Sequence, residues 1–505
     1  MLLSMMLLPL LATCMVAQPQ FGERPKLLVG IVVDQMRWDY LSRYYDKFTD
    51  DGFRRLIDGG YSCNNCLINY VPTVTAIGHT SIYTGTTPAF HGICGNNFFI
   101  DGHKTYCTTD TTVDVVGTDN HEKGAMSPRN MLATTIGDQL RLHTDFASKV
   151  IGVSYKDRAA ILPAGHSATA AYWLDLKNRQ FMTSTYYMKE LPAWAVEQNK
   201  QLKKNEVFKR VGKDIGLYPE CGTITTDMAI AALKGEQLGR GEQTDMLCVS
   251  YSQTDVIGHK WATRGEHTDG AYLQLDRDLA RLLKALDEQV GKGNYLLFLT
   301  ADHGGAHNYQ FMQDHRLPAG RWLDPDMRNG VEQAVAKRFG NTRPVVADEL
   351  DYRYFLNRKA IAEQQLDYEQ VKAVAIEHLR QQPHVCFVVD YERAAQQGLP
   401  SIIRDRALMG YHYRRSGDIL VVTDPGYYTY GSWSSPVGTT HGQWNSYDAH
   451  IPLLFYGWKV GHGATSREVH ITDIAPTVCQ MLHIQQPNAC VGEAIVEVGL
   501  SSADK

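Results

Sequence analysis

The chain runs to 505 residues, 44% hydrophobic and 21% charged, a balance that excludes disordered, collagen-like and coiled-coil architectures. Lys and Arg number 50 against 55 Asp and Glu, a net charge of −5, so there is no basic excess to neutralise a nucleic-acid backbone. Nucleic acid is not an expected partner.

Residues 2–17 form the longest nearly uncharged apolar run, too short to cross a membrane comfortably, and a polar stretch follows at 18–26. This shape predicts a signal peptide over 1–17, an exported or periplasmic chain and no transmembrane span. Leu11-Ala12-Thr13-Cys14 is similar to a bacterial lipoprotein cleavage box, which makes a lipid anchor at Cys14 a further expectation. Of 10 cysteines, nine lie beyond Cys14, an odd number, so at least one thiol is expected to stay unpaired. Cys479 and Cys490 form the preferred local pair. Cys63-x-x-Cys66 lacks a second matching pair and reads as a disulfide rather than a zinc ribbon.

Short aliphatic and β-branched runs follow at Leu27–Val33, Val150–Ser154, 246–250, Tyr295–Thr300 and Ile419–Thr423. Their apolarity is continuous rather than alternating, which predicts strands covered on both faces. The fold class is therefore α/β, with a largely parallel central sheet flanked by helices on both sides. Residues 127–142 read as a helix in which Ser127 caps, Pro128 opens the first turn, and Met131, Leu132, Ile136 and Leu140 share a face. A second amphipathic stretch spans 273–290. The pattern loses regularity at about 172–243 and 308–415, which predicts cap insertions on a single catalytic domain over 24–500.

Three of the strands run into acidic residues. Leu27–Val33 ends in Asp34; the strand near 247–251 leads to Asp255, with His259 four positions on; Tyr295–Thr300 ends in Ala301-Asp302-His303. An open α/β sheet gathers its site at such strand ends. One Asp there commonly caps a helix or turns the chain, but three such ends, with a later Thr440-His441-Gly442, make a set of oxygen and imidazole ligands suited to two zinc ions. Asp255 and His259 share one face of a helical turn, and His441 brings a third ligand to them. Asp34, Asp302 and His303 form the second set.

Pro72-Thr73-Val74-Thr75 precedes a stretch that reads as helical, which sets Thr75 near a helix N-terminus where free amides favour an anion. Read locally, its hydroxyl is a helix cap or a nucleophile. His79, His91, His166, His307 and His450 read as packing residues.

Taken together, VVDQMRWDY (Asp34), PTVTAIGHTSIYTG (Thr75), HGICGN (Asn96), SYKDR (Lys156, Arg158), SQTDVIGH (Asp255, His259), TADHGG (Asp302, His303) and THGQ (His441) resemble the alkaline phosphatase superfamily. Within it they are similar to the phosphate-irrepressible alkaline phosphatases and their nucleotide pyrophosphatase/phosphodiesterase relatives. The resemblance covers most of the chain after the signal and implies an alkaline phosphatase-like fold, two Zn2+ ions, Thr75 as nucleophile, and Asn96, Lys156 and Arg158 as the phosphate-binding residues. Lys156 and Arg158, alternating on an extended segment, would meet the two charges of a terminal phosphate, so small phosphate monoesters are the expected substrates. A phosphodiesterase using the same metals and nucleophile is the alternative. A sulfatase would need a modified Cys or Ser where Thr75 stands.

Overall fold

The computed structural model describes residues 23–499 apart from 323, 341 and 430–434. The expected signal peptide and the cleavage box at Cys14 lie outside the described residues.

A ten-stranded sheet carries the molecule. Its middle is parallel, in the order Tyr295–Thr300, Leu27–Val33, Asp245–Tyr251, Val150–Ser154 and Ala170–Asp175. Antiparallel pairings occur toward both edges, where Leu453–Gly457 and Gln180–Ser184 join. The three strands nearest the centre are buried along their whole length, which is why their sequences read as unbroken apolar runs.

Close helix packing is written into one face of the sheet. Gly30, Cys248 and Gly152 lie side by side on neighbouring strands. A Cβ on Gly30 would fall 2.3 Å from the Tyr83 hydroxyl oxygen, and one on Gly152 would fall 2.1 Å from Ala160 O. The helices Thr75–Thr84 and Asp157–Ala164 therefore press directly onto this small-residue row. On the opposite face Tyr251 meets Thr226 of the helix Glu220–Gly235, their hydroxyls 2.9 Å apart. Beside it lies the helix Glu266–Gln289, which buries Leu275, Leu279, Leu282 and Leu286 at helical spacing.

A second, smaller core is built by four antiparallel strands in the order Val346–Leu350, Arg353–Leu356, Ile419–Thr423 and Val385–Asp390. The helices Asp324–Phe339 and Tyr368–Arg380 pack on it, burying Val331, Val335, Val371 and Leu379.

Several expectations need correcting. Ile419–Thr423 belongs to this second sheet, not the central one. Residues 172–243 are not a cap: Tyr172, Trp173, Phe181, Met228 and Leu233 sit in the main core, because an antiparallel hairpin extends the sheet and a helix returns across it. The helix expected from Ser127 begins only at Ile136. Thr135 accepts from Asp138 N–H, the Asp138 carboxylate accepts from Thr135 N–H, and Ser127 instead donates to Asp110 at 2.6 Å. The nine described cysteines are free thiols, so neither the Cys479–Cys490 nor the Cys63–Cys66 disulfide is formed.

Candidate active site

Parallel register brings the three acidic strand ends to one edge, since Val33 pairs with Tyr251 and Val32 with Thr300. Asp34, Asp302 and His303 converge there, as do Asp255, His303 and His441, each group with ligand atoms within 4.8 Å of one another. His303 stands between the two groups. Its Nε2 lies 3.5 Å from both Asp34 Oδ1 and Asp302 Oδ2, and its ring stacks on His441 with centroids 3.6 Å apart. Asp255 sits in the first turn of the helix Gln253–Trp261, one turn from His259, whose Nε2 is 3.2 Å from Asp255 Oδ1. His441 Nε2 is 3.6 Å from the same oxygen.

The three histidines share one orientation. Nδ1 of His303 lies 2.8 Å from Gly304 O, that of His259 2.9 Å from Thr439 O, and that of His441 2.7 Å from Thr73 O. A carbonyl only accepts, so each Nδ1 carries a proton, and each Nε2 is the ring atom turned toward the carboxylates. Metal-binding histidines are held in this way.

Electrostatics favour cations here. Burial, reinforced by repulsion from Asp302, lifts Asp34 well above the usual carboxylate range. Burial would raise Asp255 too, but His259 and Lys156 carry it well below that range. Burial, aided by His303, drives His441 down and keeps its imidazole neutral, as a metal ligand must be. Asp34 Oδ1 is buried and accepts no hydrogen bond, a strong acceptor left without a donor. A mixed carboxylate and imidazole set of this kind fits divalent metal ions, zinc among them.

Thr75 is the first residue of the helix Thr75–Thr84, not its cap, which is Val74. Its Oγ1 lies 3.4 Å from His303 Nε2. Asn96 accepts from Ala76 N–H through Oδ1 at 3.1 Å, which leaves its amide hydrogens as the donors it can offer a ligand. Lys156 is the N-cap of the helix Asp157–Ala164, so Lys156 and Arg158 do not alternate on an extended segment as expected. Lys156 Nζ bridges Asp34 Oδ2 at 2.7 Å and Asp255 Oδ2 at 2.6 Å. Arg158 donates to the Tyr106 hydroxyl at 3.0 Å, and the two basic residues line a cavity of about 910 Å³.

Two residues at the site escaped the sequence. Gln35 donates from its backbone to Asp302 Oδ1 at 3.1 Å and from its side chain to Asp255 Oδ1 at 2.8 Å. His79, read as a packing residue, has Nδ1 2.9 Å from Thr75 O and 3.1 Å from Asp302 Oδ2. The one available signal for His79 was its spacing of a helical turn from Thr75.

Sheet, strand-end acids and imidazoles make a candidate metal site at one edge of an α/β fold, and comparison with known proteins gives the family. The type I phosphodiesterase / nucleotide pyrophosphatase family matches residues 28–448, and the chain belongs to it. It is 43% identical to the alkaline phosphatase PafA of Elizabethkingia meningoseptica, across 94% of both chains. It is 44% identical to a calcium-transporting ATPase of Myroides odoratus, over 94% of this chain and 95% of the other. The alkaline phosphatase PhoV of Synechococcus elongatus is 39% identical over 95% and 94%. The crystal structure of PafA matches with a TM-score of 0.91 at 42% identity, covering 94% of this chain and 99% of that one.

Proposed function

We propose that the chain is an exported alkaline phosphatase that hydrolyses phosphate monoesters to inorganic phosphate through a phosphothreonine on Thr75. The observation that carries this is the placing of Thr75 at a helix N-terminus, 3.4 Å from His303, in a site where Lys156 bridges Asp34 and Asp255 and Arg158 follows two residues on. The relatives named as alkaline phosphatases support it. So does a solved variant of PafA altered at a threonine, an asparagine, a lysine and an arginine, in that order and with the last two separated by one residue. Thr75, Asn96, Lys156 and Arg158 repeat that order and that spacing.

Two zinc ions, one on Asp34, Asp302 and His303 and one on Asp255, His259 and His441, would acidify the Thr75 hydroxyl, neutralise the departing oxygen and activate water for the second step. Thr75 Oγ1 attacks phosphorus while the bond to the alcohol oxygen breaks. Water then displaces Thr75 from the phosphothreonine and phosphate leaves. Free amides at the start of the helix Thr75–Thr84 favour the phosphoryl anion throughout. Asn96 donates to a non-bridging oxygen, and Lys156 and Arg158 supply the positive charge that a dianionic monoester needs and a singly charged diester does not. Nδ1 bonds from His259, His303 and His441 to backbone carbonyls turn their Nε2 atoms toward the carboxylates, the orientation a metal ligand needs.

The family's description favours a second reading, a phosphodiesterase with the same metals and Thr75. It gives Lys156 and Arg158 no second substrate charge to meet. The name calcium-transporting ATPase belongs to that relative alone; among the described residues of this chain no helix is long and apolar enough to cross a membrane.

Thr75 variants test the proposal. Thr75→Ser keeps a hydroxyl and should keep measurable turnover of p-nitrophenyl phosphate, whereas Thr75→Ala should lose about 10³-fold or more in kcat/KM and trap no phosphoenzyme. Full activity in the alanine variant contradicts the role of Thr75.

A further inference from the structure

Beyond His259 and His441 the site opens into a cavity of about 350 Å³ whose far wall comes from the smaller sheet. That wall is the two-residue turn Asp351–Tyr352, which joins the antiparallel strands Val346–Leu350 and Arg353–Leu356, with Glu349 and Thr429 beside it. Both turn residues have positive φ, 53° and 66°. This is the geometry that two-residue hairpins prefer and that glycine or asparagine usually fills.

A tyrosine at such a position is strained and persists only when its surroundings hold it. Several contacts do so. Tyr352 N–H donates to Glu349 Oε1 at 2.8 Å, Thr429 N–H donates to the Tyr352 hydroxyl at 2.9 Å, and the ring stacks on Trp322. Arg353, with no exposed side-chain surface, donates to Leu350 O at 3.1 Å, to Asp351 Oδ2 at 3.0 Å and to Cys94 O. It thereby ties the turn to the loop that carries Asn96 and offsets part of the Asp351 charge from behind. Asp351 itself keeps 28% of its side chain exposed and lines the cavity.

In an in-line displacement the leaving oxygen lies opposite Thr75. With Thr75 Oγ1 beside His303 of the Asp34 and Asp302 set, the departing oxygen falls to the set of Asp255, His259 and His441, so the group it bears projects into the cavity that His259 and His441 line. Among the described residues, that cavity's lining holds the carboxylates of Glu349 and Asp351 and no Lys or Arg. Lys156 and Arg158 face the other, larger cavity. The smaller cavity is thus acidic, whereas the larger one mixes its cations with Glu122, Asp157 and Asp175.

We propose that Glu349 and Asp351 form a leaving-group subsite that selects O-phosphorylated amino alcohols over phosphate esters carrying a second anionic group. The subsite rests on the phosphatase reading. Its cause is Coulombic, a cationic leaving group being attracted and an anionic one repelled across a few ångströms of partly desolvated space.

The probes are O-phosphoethanolamine and phosphoglycolate, esters of similar size that carry an ammonium and a carboxylate. The quantity read is the ratio of their kcat/KM values in zinc-reconstituted wild type, Glu349→Gln, Asp351→Asn and the double variant. Intrinsic reactivity of the two esters cancels between variants, and misfolded molecules enter neither term of the ratio. The ratio should fall about tenfold in the double variant. In the wild type, which needs no altered chain, it should shrink as sodium chloride rises from about 0.05 M to about 1 M. A ratio unmoved by both the double substitution and salt, with p-nitrophenyl phosphate still hydrolysed, overturns the subsite alone. A wild type that hydrolyses no monoester overturns the phosphatase reading and the subsite with it.

Discussion

Gln35 shows how carboxylates that repel one another are kept in a single site. From a backbone with φ of 61° it donates to Asp302 through its main-chain N–H and to Asp255 through its amide, so one residue braces an acid in each ligand group. A partner that orients metal ligands typically contributes about 10-fold to 100-fold in affinity. Gln35→Ala should therefore weaken zinc binding by about that much in a chelator competition, and an unchanged affinity would show that the bracing is incidental. Asp34, Asp302 and His303 were legible because each follows directly on a buried strand. Gln35 and His79 were not, because what singles them out is contact with residues more than 200 positions away: Asp255 and Asp302 for Gln35, Asp302 for His79. Lys156 shows the converse. Its type pointed to phosphate, yet its nearest partners are Asp34 and Asp255, which only the folded sheet brings to it.

At the scale of the element, the helix Thr75–Thr84 is positioned by Gly78 as much as by its buried side chains. A Cβ at Gly78 would lie 2.2 Å from Asp302 O, so the helix reaches the strand end through contact with backbone. Gly78→Ala must push the helix away from Asp302, and a shift of about 1 Å at such a site can cost on the order of 100-fold in rate. The expected outcome is a loss of that order in kcat/KM for p-nitrophenyl phosphate with the fold retained by circular dichroism; full activity would mean that the packing yields without moving Thr75. Strands were easier to read than helices here. Leu27–Val33 is buried throughout and looks it, whereas in 127–142 the apolar spacing that suggested one helix is shared by an irregular stretch in which Leu132 is 51% exposed. That stretch is held by side chains rather than by helical hydrogen bonds, with Asn130 reaching the carbonyls of Cys107 and Thr109.

For the whole molecule, the central sheet and the helices packed on it carry Asp34, Thr75, Asp255, Asp302 and His303, and the smaller sheet supplies one wall of the site. The α/β class was legible from five apolar runs, but the partition into two cores was not, since Ile419–Thr423 is as apolar as any central strand and only its pairing with Val385–Asp390 and Arg353–Leu356 assigns it elsewhere. Three buried carboxylates at one sheet edge weigh against the fold unless cations meet them. Ions that bind the folded chain stabilise it by mass action, so chelation should lower Tm by about 5 °C or more and zinc should restore it. A Tm indifferent to chelator would mean that Lys156 and the histidines balance those charges unaided.

The central claim, a site built for a doubly charged phosphate, is tested most directly by the ratio of kcat/KM for p-nitrophenyl phosphate over bis-p-nitrophenyl phosphate. It is measured on zinc-reconstituted protein and on the Lys156→Ala, Arg158→Ala double variant. The account predicts a ratio far above one that collapses in the double variant, because those two cations recognise the charge a diester lacks. A ratio below one in the wild type, or equal losses on both substrates in the variant, would contradict it and make the chain a diesterase that uses the same Thr75.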